Sequence, residues 1–218
     1  MLPAWPIPYV PDPAHFALDA FVSFCVSVLL AVLVNAEAQA FASTLLGDHR
    51  VGAKDRFHFI AFFHLDILGS INYLAGGFGW AKHMDVNPAK FKHPFLYTLL
   101  SRLAGPFANI LLANIAASLI FLMRAFEYDP RVFSMVVGVN LTTAVYHLLP
   151  LPPLAVGTAL VESLPPGRSQ EKRLLMLAGP FLVLALTLAD RLSDWGLVRP
   201  YLDPLVLWLL RVVIGGQP

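Results

Sequence analysis

Charge is scarce in these 218 residues: only 13% are Asp, Glu, Lys or Arg, about half the share a soluble globular domain carries. The formal net charge is +1, so there is no basic field for nucleic acid and no acidic field for cationic partners. Cysteine is almost missing as well. Cys25 stands alone, which excludes an intrachain disulfide and a haem-attachment cysteine pair, and its apolar surroundings make it a small buried hydrophobe. Residues 1–15 contain no Lys or Arg and are rich in proline; without the charged start and apolar run of a signal peptide, they are expected to form an extended, partly interfacial arm. Apolar residues fill the space that charge leaves. They make up 57% of the chain, mean hydropathy is +0.67, and that much apolar surface needs lipid to face.

A membrane helix takes roughly 20 mainly apolar residues, and four stretches qualify: 16–46, 97–126, 132–149 and 174–189. Two more are interrupted. Residues 57–80 are broken by His64, Asp66 and several glycines, which predicts a re-entrant or interfacial segment. Residues 197–214 carry Pro200, Asp203 and Pro204 and are expected to be a short span or surface helix. The fold class is therefore an all-α integral membrane protein, with residues 16–218 as one membrane domain after the arm. Arg50, Lys54, Arg56, Lys82, Lys90, Lys92 and Arg102 collect between the first two spans, and Arg168, Lys172 and Arg173 follow the third. By the positive-inside rule that side is cytoplasmic and the N-terminus is outside. On this basis Lys82, Lys90, Lys92 and Arg102 serve as topology determinants touching lipid headgroups. Leu-Ala-Gly-Pro-Phe occurs at 103–107 and again at 177–181, two similar packing or kink sites.

Polar groups inside a membrane helix mark candidate sites. The first span ends Asn35-Ala36-Glu37-Ala38-Gln39, followed by Leu-Leu-Gly-Asp at 45–48. A His-Glu-x-x-His zinc helix puts two imidazoles one turn apart on one face, with a glutamate beside them as base. Asn35 and Gln39 have that spacing, but neutral carboxamides are poor zinc ligands. Ala36 supplies no base, and Glu37 points about 100° further round the helix. From these residues alone, interhelical hydrogen bonding by Asn35, Glu37 and Gln39 competes with a lost metal site.

Four later motifs continue the pattern: His64-Leu65-Asp66-Ile67-Leu68-Gly69; Gly77-Phe78-Gly79-Trp80-Ala81-Lys82 with Val86-Asn87-Pro88; Ala104-Gly105-Pro106-Phe107-Ala108-Asn109; and Tyr146-His147-Leu148-Leu149-Pro150-Leu151-Pro152-Pro153-Leu154-Ala155. In this order they resemble the site-2 protease family of intramembrane zinc metalloproteases along nearly the whole chain. The resemblance implies a site-2-protease-like core, with Asn35 and Gln39 at the histidine ligand positions, Ala36 at the general base and Ala155 at the third-ligand aspartate. His147 stands where the family has an asparagine beside the scissile carbonyl, and Gly105, Pro106 and Asn109 start a helix. Without three good ligands and a base, zinc hydrolysis fails. The expectation is then a catalytically inactive membrane protein with no metal or cofactor. Its groove, involving Glu37, His64, Asp66, Gly77, Phe78, Trp80, Asn109 and His147, would hold a transmembrane protein partner or join a larger complex, in a bacterial inner membrane. Two alternatives stay open at this point. One is a metalloprotease remodelled around His64, Asp66, His147 and Glu37; the other is a pigment- or haem-carrying subunit using His64 and His147. More simply, His64 and Asp66 satisfy broken backbone and one another, and His83 and His93 are solvated. Transport ranks last, since no acidic or basic relay is visible.

Overall fold

The computed structural model describes residues 6–49, 57–193 and 196–215. Arg50, Lys54 and Arg56 of the basic loop, and residues 1–5 of the arm, lie outside them. Seven α-helices are described: α1 Leu18–Leu45, α2 Ile67–Gly76, α3 Pro94–Ala125, α4 Arg131–Tyr146, α5 Ala155–Glu162, α6 Ser169–Leu192 and α7 Arg199–Ile214. The described residues form no strand, only an isolated antiparallel bridge between Leu65 and Ala81.

Three helices, α1, α3 and α6, are long and apolar enough to cross a membrane. The 16 residues of α4 rise only about 24 Å at 1.5 Å each, against roughly 30 Å of hydrocarbon. Its continuous run of buried residues from Met135 to Tyr146 explains its place: it is the central helix, enclosed by α1, α3 and α7. On α1 the buried positions are Ala20, Ser23, Phe24, Ser27, Val28, Ala31, Val32, Asn35, Ala36, Glu37, Ala40 and Ser43. That stripe of mostly small residues at helical spacing lets the backbones of α3 and α4 come close, the usual basis of helix association where lipid removes the hydrophobic drive.

Residues 57–80 form no long helix. They contain a 3-10 turn, Ala61–His64, and the ten-residue α2, and the chain then doubles back so that Lys82 N–H donates to the His64 carbonyl. Asp66 caps α2 by accepting from Gly69 N–H, and Gly77 ends it in the left-handed region at φ 77°. A Cβ on Gly69 would lie 2.3 Å from the Trp80 carbonyl oxygen, and one on Gly79 would lie 2.2 Å from that of Gly69. Only glycine permits this close return of the loop on α2.

The helix bearing the Ala-Gly-Pro-x-Ala-Asn motif begins at Pro94, so Gly105 and Pro106 lie in its interior and do not start it. The repeated Gly-Pro pairs have a common use. A Cβ on Gly105 would sit 2.6 Å from Asn35 Oδ1, and a Cβ on Gly179 would sit 2.2 Å from the Pro152 carbonyl oxygen. Each pair lets a long helix press against a motif-bearing segment. The arm is also docked: Tyr9 packs on Phe24 with ring centroids 5.3 Å apart, and Ile7 and Tyr9 join the two core clusters.

Candidate functional site

Asn35, Ala36, Gln39 and Ala155, the first three more than a hundred residues from the fourth in sequence, line one cavity of about 490 Å³. The first three come from the C-terminal half of α1. Ala155 is the first residue of α5, held there because the proline-rich segment after α4 ends in Leu154 and the His147 carbonyl accepts from Val156 N–H. His58, His64, Trp80, Lys82, His83, Arg102, His147 and Thr158 complete the polar and aromatic lining.

A directed chain of hydrogen bonds runs away from this cavity. Arg102 Nη1 donates to Gln39 Oε1 (2.9 Å), Gln39 Nε2 to Asn35 Oδ1 (2.7 Å), and Asn35 Nδ2 to Asn109 Oδ1 (2.6 Å). Asn109 Nδ2 in turn donates to the Ala31 carbonyl (3.0 Å) and to Asn140 Oδ1 (2.8 Å), and Asn140 Nδ2 donates to the Val136 carbonyl (2.8 Å). A guanidinium can only donate and a carbonyl can only accept, so the two ends fix the orientation of all four amides. The chain ties α1, α3 and α4 together through a fully satisfied buried network. The side-chain oxygens of Asn35 and Gln39 each accept a hydrogen bond in this chain.

Arg102 corrects the expectation that it touches headgroups. Its side chain is 3% exposed and forms a bidentate ion pair with Glu162 of α5: Nε donates to Oε2 at 2.9 Å and Nη2 to Oε1, while Nη2 also reaches the Met84 carbonyl (2.7 Å). It sits inside the predicted span 97–126, and a lone cation at that place is the signal by which the sequence could have marked it as a site residue. Lys90 is likewise engaged, by Asp48 and the His49 carbonyl, while Asn87 N–H donates to Asp48. The Leu-Leu-Gly-Asp and Val-Asn-Pro motifs therefore hold each other.

His64 and Asp66 do not satisfy one another. His64 Nε2 is 3.0 Å from Glu37 Oε1, which also accepts from His58 N–H at 2.8 Å. Asp66 instead caps α2 and accepts from Trp80 Nε1 at 2.9 Å. Glu37 is thus a tie from α1 to the 57–64 segment, where helix-to-helix bonding was one expectation. Trp80 and Phe78 are buried, at 2% and 4% exposure. Phe78 stacks on Tyr146 (4.1 Å) and faces a second, 260 Å³ cavity behind the arm. Of the residues expected in the groove, His64, Trp80 and His147 line the main cavity; Glu37 and Asp66 support it from behind, Asn109 sits within the amide chain, and Gly77 and Phe78 turn away.

His83 is not simply solvated. It lines the cavity 3.7 Å from both Glu162 and Asp85. Burial, then the nearby Arg102 charge, lower its imidazole below the ordinary value against the opposing pull of the two carboxylates. Glu162, His58, Thr158 and Asn140 carried no motif signal and are site residues only by virtue of the fold.

Zinc takes imidazole, thiolate or carboxylate. The positions that the motif resemblance assigns to its ligands carry two hydrogen-bonded carboxamides, Asn35 and Gln39, and the methyl group of Ala155, with a guanidinium one hydrogen bond from Gln39. Among the described residues no three His, Cys, Asp or Glu side chains gather as a metal site, the combination of His64, Asp66, His147 and Glu37 included.

No family model and no solved structure matches the chain. A curated relative, named "Putative zinc metalloprotease YwhC", from Bacillus subtilis (strain 168), is 32% identical over 163 residues, covering 70% of this chain and 74% of its own. At that identity and coverage the chain belongs to the family of this zinc metalloprotease relative, in agreement with the site-2-protease order of its motifs.

Proposed function

We propose that this chain is a catalytically inactive, site-2-protease-like membrane protein whose groove holds a transmembrane partner without cutting it, as an accessory, assembly or regulatory subunit of a membrane complex. The observation that carries this is the amide chain from Arg102 through Gln39 and Asn35 to Asn109 and Asn140. It occupies the place where the family's chemistry calls for metal ligands, and it brings a fixed positive charge where a cation would otherwise bind. The donor set does not fit zinc: Asn35 Oδ1 and Gln39 Oε1 are neutral carboxamide oxygens that already accept hydrogen bonds, and Ala36 and Ala155 have no polar side-chain atom. Hydrolysis needs an activated water and a base to take its proton, and these positions provide neither.

The frame around them is kept. The glycine contacts of the 69–80 return, the caps of α2 and the Asp48–Asn87 tie all preserve a groove bounded by α1, the 57–64 segment and the 80–84 loop. Retaining an enclosed groove after its reactive groups are gone favours binding over catalysis. In this proposal α4 and α7 complete the bundle with α1, α3 and α6, the N-terminus lies outside, and the membrane is a bacterial inner membrane.

The test is purification from native membranes in mild detergent, with mass spectrometry of the accompanying chains and metal analysis of the same sample. A reproducible transmembrane partner, lost when bulky residues are placed at Ala36 and Ala155, is expected. A clean monomer, or stoichiometric zinc with proteolysis of a membrane substrate, would overturn the proposal.

A further inference from the structure

Three features of the cavity wall converge on one ligand chemistry. The first is the N-terminus of α5. Ala155 is its first residue, Leu154 gives no side-chain cap, and no acidic residue stands in its first turn. Leu154 N–H and Val156 N–H are taken by the Leu151 and His147 carbonyls, but the positive end of a helix still favours an oxygen anion at this place, and the first turn supplies none.

The second is His147, 2% exposed and lining the cavity. Its Nε2 lies 3.0 Å from the Gly79 carbonyl oxygen, which can only accept, so the ring hydrogen is on Nε2. Nδ1 then presents a bare lone pair, and it is buried with no hydrogen-bond partner. The third is Thr158, also 2% exposed, one turn along α5 on the same face as Ala155. Ser23, Ser27, Thr44, Thr142 and Thr143 all turn their hydroxyls back to the carbonyl four residues earlier. Thr158 does not, and its buried Oγ1 is without a partner. Leaving such buried groups unpaired is costly.

We propose that the cavity binds a carboxyl group, seated at the N-terminus of α5 in the space that the methyl side chain of Ala155 leaves open. One carboxyl oxygen accepts from Thr158 Oγ–H and the helix N-terminus; the other shares a proton with His147 Nδ1. Lys82, on the same cavity wall, adds positive charge. A carboxamide could also pair with both free atoms, but it gains nothing from Lys82 or the helix end. The carboxyl is carried either by a membrane amphiphile or by an acidic side chain of a transmembrane partner; only the second source rests on the partner-binding function proposed above.

The probe is 9,10-dibromostearic acid added to the purified full chain in dodecyl maltoside, with bromine quenching of Trp80 as the readout and W80F giving the background from the other tryptophans. Saturable quenching by the acid is expected, with its methyl ester and primary amide at least tenfold weaker. T158V should weaken the acid tenfold or more while T158S retains it, and A155D, which supplies a carboxylate internally, should abolish it. Thermal melts of each variant confirm folding. Displacement of the acid by millimolar acetate shows that the carboxyl alone suffices and points to a side-chain source; failure of acetate to displace it points to an amphiphile, and both results uphold the site. Equal quenching by acid, ester and amide, or unchanged binding in both T158V and A155D, overturns it. Absence of acid binding by a chain that still co-purifies with a partner sinks this inference and leaves partner binding standing.

Discussion

Replacing Arg102 by alanine exposes how the site is held. The guanidinium joins three elements at once: Gln39 on α1, Glu162 on α5 and the Met84 carbonyl in the loop between α2 and α3. Its loss leaves the Glu162 carboxylate, only 12% exposed, without its cation, and breaking a buried pair from one side costs about 3–5 kcal/mol. Two more acceptors are orphaned, but water from the adjoining 490 Å³ cavity can reach them, and His83 at 3.7 Å partly offsets the stranded charge. The lower end of the range, ~3 kcal/mol, is therefore expected. That corresponds to roughly a hundredfold in the unfolding equilibrium and, by the size scaling of small domains, to about 6–12 °C in Tm. Reversible unfolding in mixed dodecyl maltoside and SDS micelles measures it. R102L/E162L should return to within ~1 kcal/mol of wild type, because an apolar pair removes both desolvated charges together. Chelator should leave wild-type stability unchanged, since α1 and α5 are linked through Arg102 of α3 by a hydrogen bond to Gln39 and an ion pair with Glu162. A loss below ~1 kcal/mol in R102A, or a double variant as unstable as the single, would refute the reasoning.

Other perturbations follow from the same contacts. N35H/A36E/Q39H/A155D should still bind zinc far below stoichiometry by mass-spectrometric metal analysis, because the guanidinium beside position 39 repels it; adding R102L/E162L should raise the metal content toward one per chain. G105A places a Cβ 2.6 Å from Asn35 Oδ1 and should cost about 1–3 kcal/mol of overpacking, read in the same micelle assay, with G167A, where a Cβ meets nothing within 4 Å, as the neutral control. E37A removes the acceptor for His58 N–H and His64 and should speed hydrogen exchange across residues 57–64 while α3 and α4 stay protected. The folded state lowers the His83 imidazole, so its contribution is complete above the unfolded pKa and is lost as pH falls toward the folded one. R102L removes one lowering cause, and the His83 NMR titration should move upward.

Sequence determined the membrane class and the main elements, since runs of about 20 apolar residues have no other stable setting. It also determined the motif order and the identity of Asn35, Ala36, Gln39 and Ala155, which decide what chemistry those positions can carry. The break in residues 57–80 was legible from His64, Asp66 and the glycines, because polar groups and glycines interrupt a long apolar helix. Tertiary structure alone decided which polar groups meet. Glu162 lies 60 residues from Arg102 and Asn140 lies 31 from Asn109, separations at which neither periodicity nor spacing indicates contact. Arg102 was counted with the loop cations because a boundary charge and a buried one are the same letter; only the approach of α5 to α3 makes it an ion pair. His64 and Asp66, two residues apart, look like a couple in sequence. In the fold the 3-10 turn sends one to Glu37 and the cap of α2 sends the other to Trp80, because hydrogen bonds follow the direction of each side chain and not the distance along the chain.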